Sequence, residues 1–417
     1  MAKATVKTLE EARSEYKDPE QGVGDLRITA YPGHPGVFEV EFHQSVYRWF
    51  KAHELADQSY RWVAVTGEGE VVGHLAALPQ YYRINGQRVI GHTPADFMVH
   101  PKHGIQALIL MRNFFRTCEN MVACDMVPAA IEVETRLGAE IVGPLDYAVK
   151  LLNVSKVPAP RLPARLSRLL NREEPAASPA VPYGYPGYQG GSEGAEDPSD
   201  PQAEPDGPAV LPVRPRAPIP APLQKLLNGG LRAADEALGG AFARGPKARE
   251  LHEFDESFDE LFESVAASVP CTAERDAAFL NWRYGPGSPQ HPVTVLGVKE
   301  GASLLGYAVL KTDAAGPDGY ILDLTARPGR HDVARALVRE SVRSLRRAGA
   351  PIIRYRHVPS PVSPRRADLQ RLGFFFRKSR RNNLLAKFSD SGMQQSARHL
   401  YNWSYTVGDG EPTFWLI

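Results

Sequence analysis

About fifty residues near the middle of this chain, 173–222, constrain its fold more than any motif does. About a third of the 36 prolines fall there, interleaved with Gly, Ser, Asp and Glu and almost free of large aliphatics. Such a segment cannot bury enough apolar surface to offset the entropy of ordering it, which predicts a disordered Pro/Gly-rich linker. A short basic amphipathic piece at 161–172 leads into it, so the linker is assigned to 156–222. A chain of 417 residues is also too long for one ordinary core. The expected division is a flexible or weakly helical arm at 1–25, an N-terminal domain at 26–155, the linker, a linking helix at 223–248, a C-terminal domain at 249–390 and an extension at 391–417.

The first domain is most legible over 93–153. An apolar run at 95–99 predicts a strand that stops at His100-Pro101. Gly104 follows, and Ile105, Leu108, Ile109 and Met111 then recur at helical spacing. A second strand at 121–125 precedes a helix that opens near Pro128 and closes at Gly138, where proline and glycine favour a helix start and stop. Two short strands flank Gly143-Pro144. Upstream, 62–65 and 71–78 read as strands, and Asn85-Gly86 is a strong hairpin signal. Residues 26–31 suggest a first strand, and 37–55 a helix carrying Val40, Phe42, Val46, Tyr47 and Phe50.

The C-terminal stretch repeats this order. It offers a strand at 249–254, a helix at 258–265, a hairpin of 293–298 with 304–311, and a strand at 320–325 ending in Arg327-Pro328-Gly329-Arg330. A helix at 332–347, a strand at 351–356, a helix closing at Leu372-Gly373-Phe374 and a last strand at 382–388 complete it. Pro101 and Pro328 end equivalent strands, and Gly138 and Gly373 each follow a leucine.

On these residues the chain resembles the GNAT superfamily of acyl-CoA-dependent N-acyltransferases. Val99-His100-Pro101 followed by Lys102-His103-Gly104-Ile105-Gln106-Ala107 is similar to the family's strand end and pyrophosphate loop. Ala107 stands where a second glycine is usual, and no arginine precedes Gly104. Glu134-Thr135-Arg136-Leu137-Gly138-Ala139 is similar to the family's closing segment, with glutamate where a tyrosine often serves as general acid. The resemblance implies an α/β architecture with mixed α+β sheets, in two tandem GNAT-like domains. It implies acetyl-CoA or another acyl-CoA as co-substrate, a primary amine of a small molecule, amino sugar or peptide as acceptor, and no metal. Met98, Val99, Lys102, His103, Gly104, Ile105, Gln106 and Ala107 would form the cofactor loop, because amides at a helix start lack partners and sit at the positive end of the helix dipole.

The catalytic candidates are Asp96 and Asp323, each in an apolar run expected to desolvate it and raise its pKa, and Tyr355 as a general acid. A satisfied structural carboxylate is the competing reading for both aspartates. Tyr47, Trp49, Phe50, Tyr60 and Trp62 offer either an acceptor wall or plain core. The first loop, with small residues at the helix start, suits coenzyme A better than the second, where Arg330 and His331 follow Gly329.

Other classes are narrowed by charge and cysteine usage. With 49 basic and 48 acidic residues the net charge is +1, which argues against a whole-protein nucleic-acid footprint. Cys118, Cys124 and Cys271 lack metal-like spacing and suggest a reduced, cytoplasmic setting. The charged opening residues do not read as a signal peptide, and no run approaches the ~20 apolar residues of a membrane helix. Two alternatives remain. One is an aminoacyl-tRNA-dependent transferase resembling the Fem family, with Arg343, Arg346, Arg347, Arg377, Lys378, Arg380 and Arg381 facing RNA. The other is a decayed binding module. The oligomeric state is not legible.

Overall fold

The computed structural model describes residues 4–31, 39–154, 219, 221–241, 245–312, 318–379, 381–414 and 416. The piece at 161–172 and nearly all of 156–222 lie outside the described residues.

The chain opens on an edge strand, β1 (Ala4–Thr8), and two helices, α1 (Leu9–Glu15) and α2 (Pro19–Ala30). Thr8 and Glu11 cap α1 reciprocally, and Asp18 accepts the Gln21 amide at the start of α2. Both starts thereby satisfy amides that a helix leaves unpaired. The arm expected at 1–25 is thus strand and helix, and 26–31 is helical up to Ala30 rather than a strand. Its residues favour strands locally, yet Val23, Leu26 and Arg27 recur at helical spacing and are buried together, and packing outweighs so weak a preference.

There follow α3 (Val40–Phe50), β2 (Tyr60–Thr66), β3 (Val71–Ile84), β4 (Gln87–Val99), α4 (Ile105–Thr117), β5 (Met121–Asp125), α5 (Pro128–Arg136), β6 (Glu140–Pro144) and β7 (Asp146–Leu151). Asn85 and Gly86 turn the β3–β4 hairpin at φ of 51° and 79°, the left-handed pair that a two-residue turn needs. The later part comprises α6 (Ala221–Ala241), β8 (Arg249–Leu251), α7 (Glu256–Ala266), β9 (Cys271–Ala273), α8 (Ala277–Tyr284), β10 (Thr294–Glu300), β11 (Ser303–Thr312), β12 (Gly319–Ala326) and α9 (His331–Arg347). It ends with β13 (Ile352–His357), α10 (Arg366–Arg371), β14 (Phe375–Arg377), β15 (Asn383–Lys387), α11 (Ser391–Ala397) and β16 (Trp403–Ser404).

Two mixed sheets result. One runs β1-β2-β3-β4-β5-β15-β6 with β9 and β16 appended, the other β14-β7-β13-β12-β11-β10-β8. In each, one helix bridges a parallel pair, β4 with β5 across α4 and β12 with β13 across α9, and the first sheet also pairs β9 with β16 in parallel. The sheets also exchange a strand. β7 leaves the first half to lie between β13 and β14, and β15 leaves the second to lie between β5 and β6. Only Leu145 separates β6 from β7, too little for the two-residue turn a hairpin requires, so β7 cannot fold back on β6. The contiguous ranges 26–155 and 249–390 do not anticipate this exchange.

The halves share core as well as strands. Tyr82, Val122 and Leu145 pack with Cys271, Leu384, Trp403 and Tyr405 in one buried cluster. Trp49 and Trp282 stack with centroids 4.2 Å apart, and each indole N–H donates to the other residue's carbonyl, at 2.7 and 3.1 Å.

Candidate active site

β4 and β5 are paired at a single position, His92 with Met121, and beside it the Thr93 hydroxyl donates to the Val122 carbonyl at 2.8 Å. Beyond that point no pairing joins them, and a cavity of about 600 Å³ opens, lined by Asp96 and Val99 of β4, Gly104 and Ala107 at the start of α4, Asp125 at the end of β5, and Ala130 and Val133 of α5. Arg27 and Tyr31 approach from the N-terminal side, His43 from α3, and Glu411 from the C-terminal segment. A crevice beyond the carboxyl ends of parallel strands is where open α/β sheets bind ligands.

The expected cofactor loop is split between the cavity and its surroundings. Val99, Gly104 and Ala107 line the cavity, and a side-chain carbon added at Gly104 would meet nothing within 4 Å. Lys102 and Ile105 are exposed and His103 is half-buried. Met98 faces the other way, into a core with Leu9 and Leu26. Gln106 is buried and its amide nitrogen donates to the Ala4 carbonyl at 3.4 Å. Residue type and spacing gave no means of telling the two sides of this loop apart.

Asp96 is held in a way its sequence context does not predict. Its φ is +50°, and the β3–β4 register slips beside it, between His74 and Ala76, which turns its carboxylate inward. Arg27 donates to it at 2.6 Å, the Tyr47 hydroxyl donates to it, and His74 Nδ1 lies 3.3 Å away. Burial would raise its pKa, but the Arg27 charge, His74 and the Tyr47 hydrogen bond outweigh burial and hold it below the ordinary carboxylate range. The expectation of a raised pKa is therefore overturned for Asp96. Burial in turn keeps His74 neutral, its pKa lowered to about 4. The Asp96 backbone N–H points at Glu411 Oε1, 3.4 Å away.

Asp125 has the property expected of Asp96. Burial raises its pKa, partly offset by hydrogen bonds from the Val127 and Met126 amides at 2.7 and 2.5 Å. On α5, burial and then the Asp125 charge push Glu134 well above the usual carboxylate range, and its Oε2 has no hydrogen-bond partner. The five aromatics weighed as an acceptor wall do not line the cavity. Trp49 and Phe50 pack on Phe414, Tyr60 stacks on Trp62, and the Tyr47 hydroxyl serves Asp96.

The corresponding region of the second sheet is filled. β12 and β13 pair at three positions, up to Ile321 with Tyr355. Beyond them the C-terminal segment enters, with Thr406 bridging to His357 and Gly408 packed so closely that an added carbon would lie 2.6 Å from the Leu322 carbonyl oxygen. Arg275 is bound to Asp409 there, with Asp323 Oδ2 3.6 Å away, all three fully enclosed. Asp323 also accepts from the Tyr307 and Thr325 hydroxyls at 2.6 and 3.0 Å, and burial raises its pKa against the pull of Arg275. The loop amides are engaged too, Ala326 with the Val362 carbonyl at 2.9 Å and Gly329 with the Pro361 carbonyl at 3.2 Å, while Arg330 pairs with Asp332 at 2.9 Å. Tyr355 is buried, its ring stacked on His357 at 4.3 Å. Neither Asp323 nor Tyr355 lines the first-half cavity.

Sequence reading missed Arg27, Tyr31, His43, Asp125 and Glu411 as site residues. Asp125 had a readable signal, an acid closing an apolar strand just ahead of a helix. Glu411 had none, since it lies far beyond the last predicted strand.

No family model matches this sequence and no curated protein is detectably similar to it. Solved structures do resemble it. A GCN5-related N-acetyltransferase from Kribbella flavida is 12% identical, with a TM-score of 0.50 over 95% of this chain and 74% of that one. Another from Anabaena variabilis is 11% identical, with a TM-score of 0.50 over 94% of this chain and 75% of that one. Saccharomyces cerevisiae N-myristoyltransferase with bound myristoyl-CoA is 11% identical, with a TM-score of 0.51 over 93% of this chain and 78% of that one. At such identity the likeness is one of fold, and the fold of this chain is the GCN5-related N-acetyltransferase fold, built on two mixed α/β sheets.

Proposed function

We propose that this chain is an N-acyltransferase that moves an acyl group from an acyl-CoA, with acetyl-CoA the first donor to try, to a primary amine, and that its first half carries the reaction. The observation behind the reading is the open cavity at the unpaired ends of β4 and β5 with the start of α4 on its wall. Small residues at Gly104 and Ala107 let a pyrophosphate approach the helix start, where unpaired amides and the dipole favour an anion. The volume suits a ligand of this size.

In the reaction a neutral amine attacks the thioester carbon, the C–S bond breaks, the amine loses a proton and the departing thiolate gains one. Asp125 is the proposed proton acceptor, because it is a cavity carboxylate whose burial raises its affinity for a proton. The Asp96 N–H is the proposed donor to the developing oxyanion, taking the thioester oxygen in place of Glu411. The ion pair of Asp96 with Arg27 then positions that amide.

The test is thiol release from acetyl-CoA in the presence of a panel of primary amines. Asp125→Asn should lower kcat by about 10²-fold or more with the KM for acetyl-CoA within twofold. Full activity in that variant would remove Asp125 from the mechanism, and the absence of any acyl-CoA turnover or binding would defeat the proposal as a whole.

A further inference from the structure

α6 lies on the body of the protein by its polar side. Asn228 accepts from the Val154 amide at 2.8 Å and donates to Asn153 at 3.0 Å, and Asp235 binds Lys150 at 2.6 Å and also Arg346. Gln224, Asn228, Leu231 and Asp235 are the half-buried positions of the helix, spaced four, three and four apart, the signature of one face. The leucine stripe is left outside. Leu226 is 72% exposed, Leu223 46%, Leu227 40% and Leu238 38%. A helix that settled by burying its apolar face would show the opposite arrangement, so the exposed stripe has an occupant to find.

A basic groove that the stripe reaches at Leu238 selects among occupants. The groove between α6 and α9, about 580 Å³, is lined by six lysines and arginines against three acids. Arg232, Arg343 and Arg347 stand 72%, 56% and 72% exposed, and among the described residues they are salt-bridged to solvent-facing or half-exposed glutamates. An RNA backbone would use the arginines and leave the leucines in water. A surface that presents anionic groups over an apolar interior would use both, and such a surface is an acidic phospholipid bilayer, on which an amphipathic helix lies with leucines at the acyl boundary and cations among the headgroups. Among the described residues no helix is long and apolar enough to cross a membrane, which agrees with a helix lying on the surface.

We infer that α6, with the adjoining arginines of α9, is a docking surface for anionic membranes. This places the protein at a lipid surface whatever its cavity binds, and it does not rest on the proposed acyl transfer.

The full chain is sedimented with vesicles of phosphatidylglycerol and phosphatidylcholine, and with vesicles of phosphatidylcholine alone. The chain is expected to bind the first and not the second, and to be released by raising the salt. Leu223→Gln with Leu226→Gln should weaken binding about tenfold or more, and Arg343→Gln with Arg347→Gln about twentyfold. Because all four side chains are exposed, both variants should melt with the native protein. Failure to bind anionic vesicles overturns the inference, as does equal binding to phosphatidylcholine or unchanged binding by the leucine variant. Salt-sensitive binding to RNA without vesicle binding, or self-association abolished by the leucine variant, would assign the face to a nucleic acid or to a second copy instead.

Discussion

The two helix-bridged parallel strand pairs among the described residues start alike and end differently. β4 with β5 and β12 with β13 are each crossed by one helix and each part company toward their carboxyl ends. In the first the space beyond the parting is a cavity of about 600 Å³. In the second it holds the C-terminal segment, with Gly408 against β12 and Asp409 on Arg275. One fold thus supplies a ligand crevice in one half and uses the same crevice as core in the other. The segment that closes the second also sends Glu411 to the first, so the filled half helps to build the open one.

The comparison is broken most forcefully at Arg275. Arg275→Ala would leave Asp323 and Asp409 as uncompensated buried carboxylates, and removing one partner of such a network costs about 3–5 kcal/mol. Urea unfolding should show that loss, while folded protein keeps acyl-CoA affinity within twofold. A large loss of affinity without loss of stability would mean that the second half takes part in binding.

Acid sharpens the comparison, because each region keeps a histidine neutral. Burial lowers His74, beside the open cavity, to about 4, and His357, beside the filled one, to about 3. A folded-state pKa below the unfolded value near 6.5 means that the unfolded chain binds the extra proton, so this stability is complete above about pH 6.5 and is lost as pH falls through the folded value. Each histidine should account for on the order of 3 kcal/mol between about pH 6.5 and 4. His74→Gln and His357→Gln should each flatten the pH dependence of the urea midpoint, and an unchanged slope in both would contradict the burial described here.

The smallest effects come from adding one carbon to a glycine in each region. At Gly408 the carbon would lie 2.4 Å from the Tyr284 hydroxyl oxygen, and at Gly104 it would touch nothing within 4 Å. Gly408→Ala should cost about 1–3 kcal/mol, and Gly104→Ala should stay within about 0.5 kcal/mol, as read by thermal melting.

Much of this fold is legible in sequence because its signals are local. The Asn85-Gly86 turn, the helix stops at Gly138 and Gly373 and the strand ends at Pro101 and Pro328 are each set by what a few residues can adopt. The exchange of β7 and β15 is not local. It depends on Leu145 being too short a link for a hairpin, and that matters only once β6 is known to be a strand. The cavity was half legible for the same reason. Gly104 and Ala107 carry a recognisable spacing, whereas Arg27 lies in a segment whose strand-like composition hid a helix, and Glu411 arrives from a distant part of the chain. Asp96 shows the limit plainly, since an apolar neighbourhood in sequence predicted desolvation and could not disclose the guanidinium 2.6 Å away.

The claim that the open crevice and not the filled one takes the cofactor is tested most directly by calorimetric titration of acetyl-CoA into the native protein, Gly104→Asp and Arg330→Glu. Gly104→Asp places a side chain and a like charge where the phosphates would lie, so binding should be lost with the melting temperature unchanged, and Arg330→Glu should bind as the native protein does. Loss of binding in Arg330→Glu alone, with Gly104→Asp unaffected, would contradict the account and move the site to the second half.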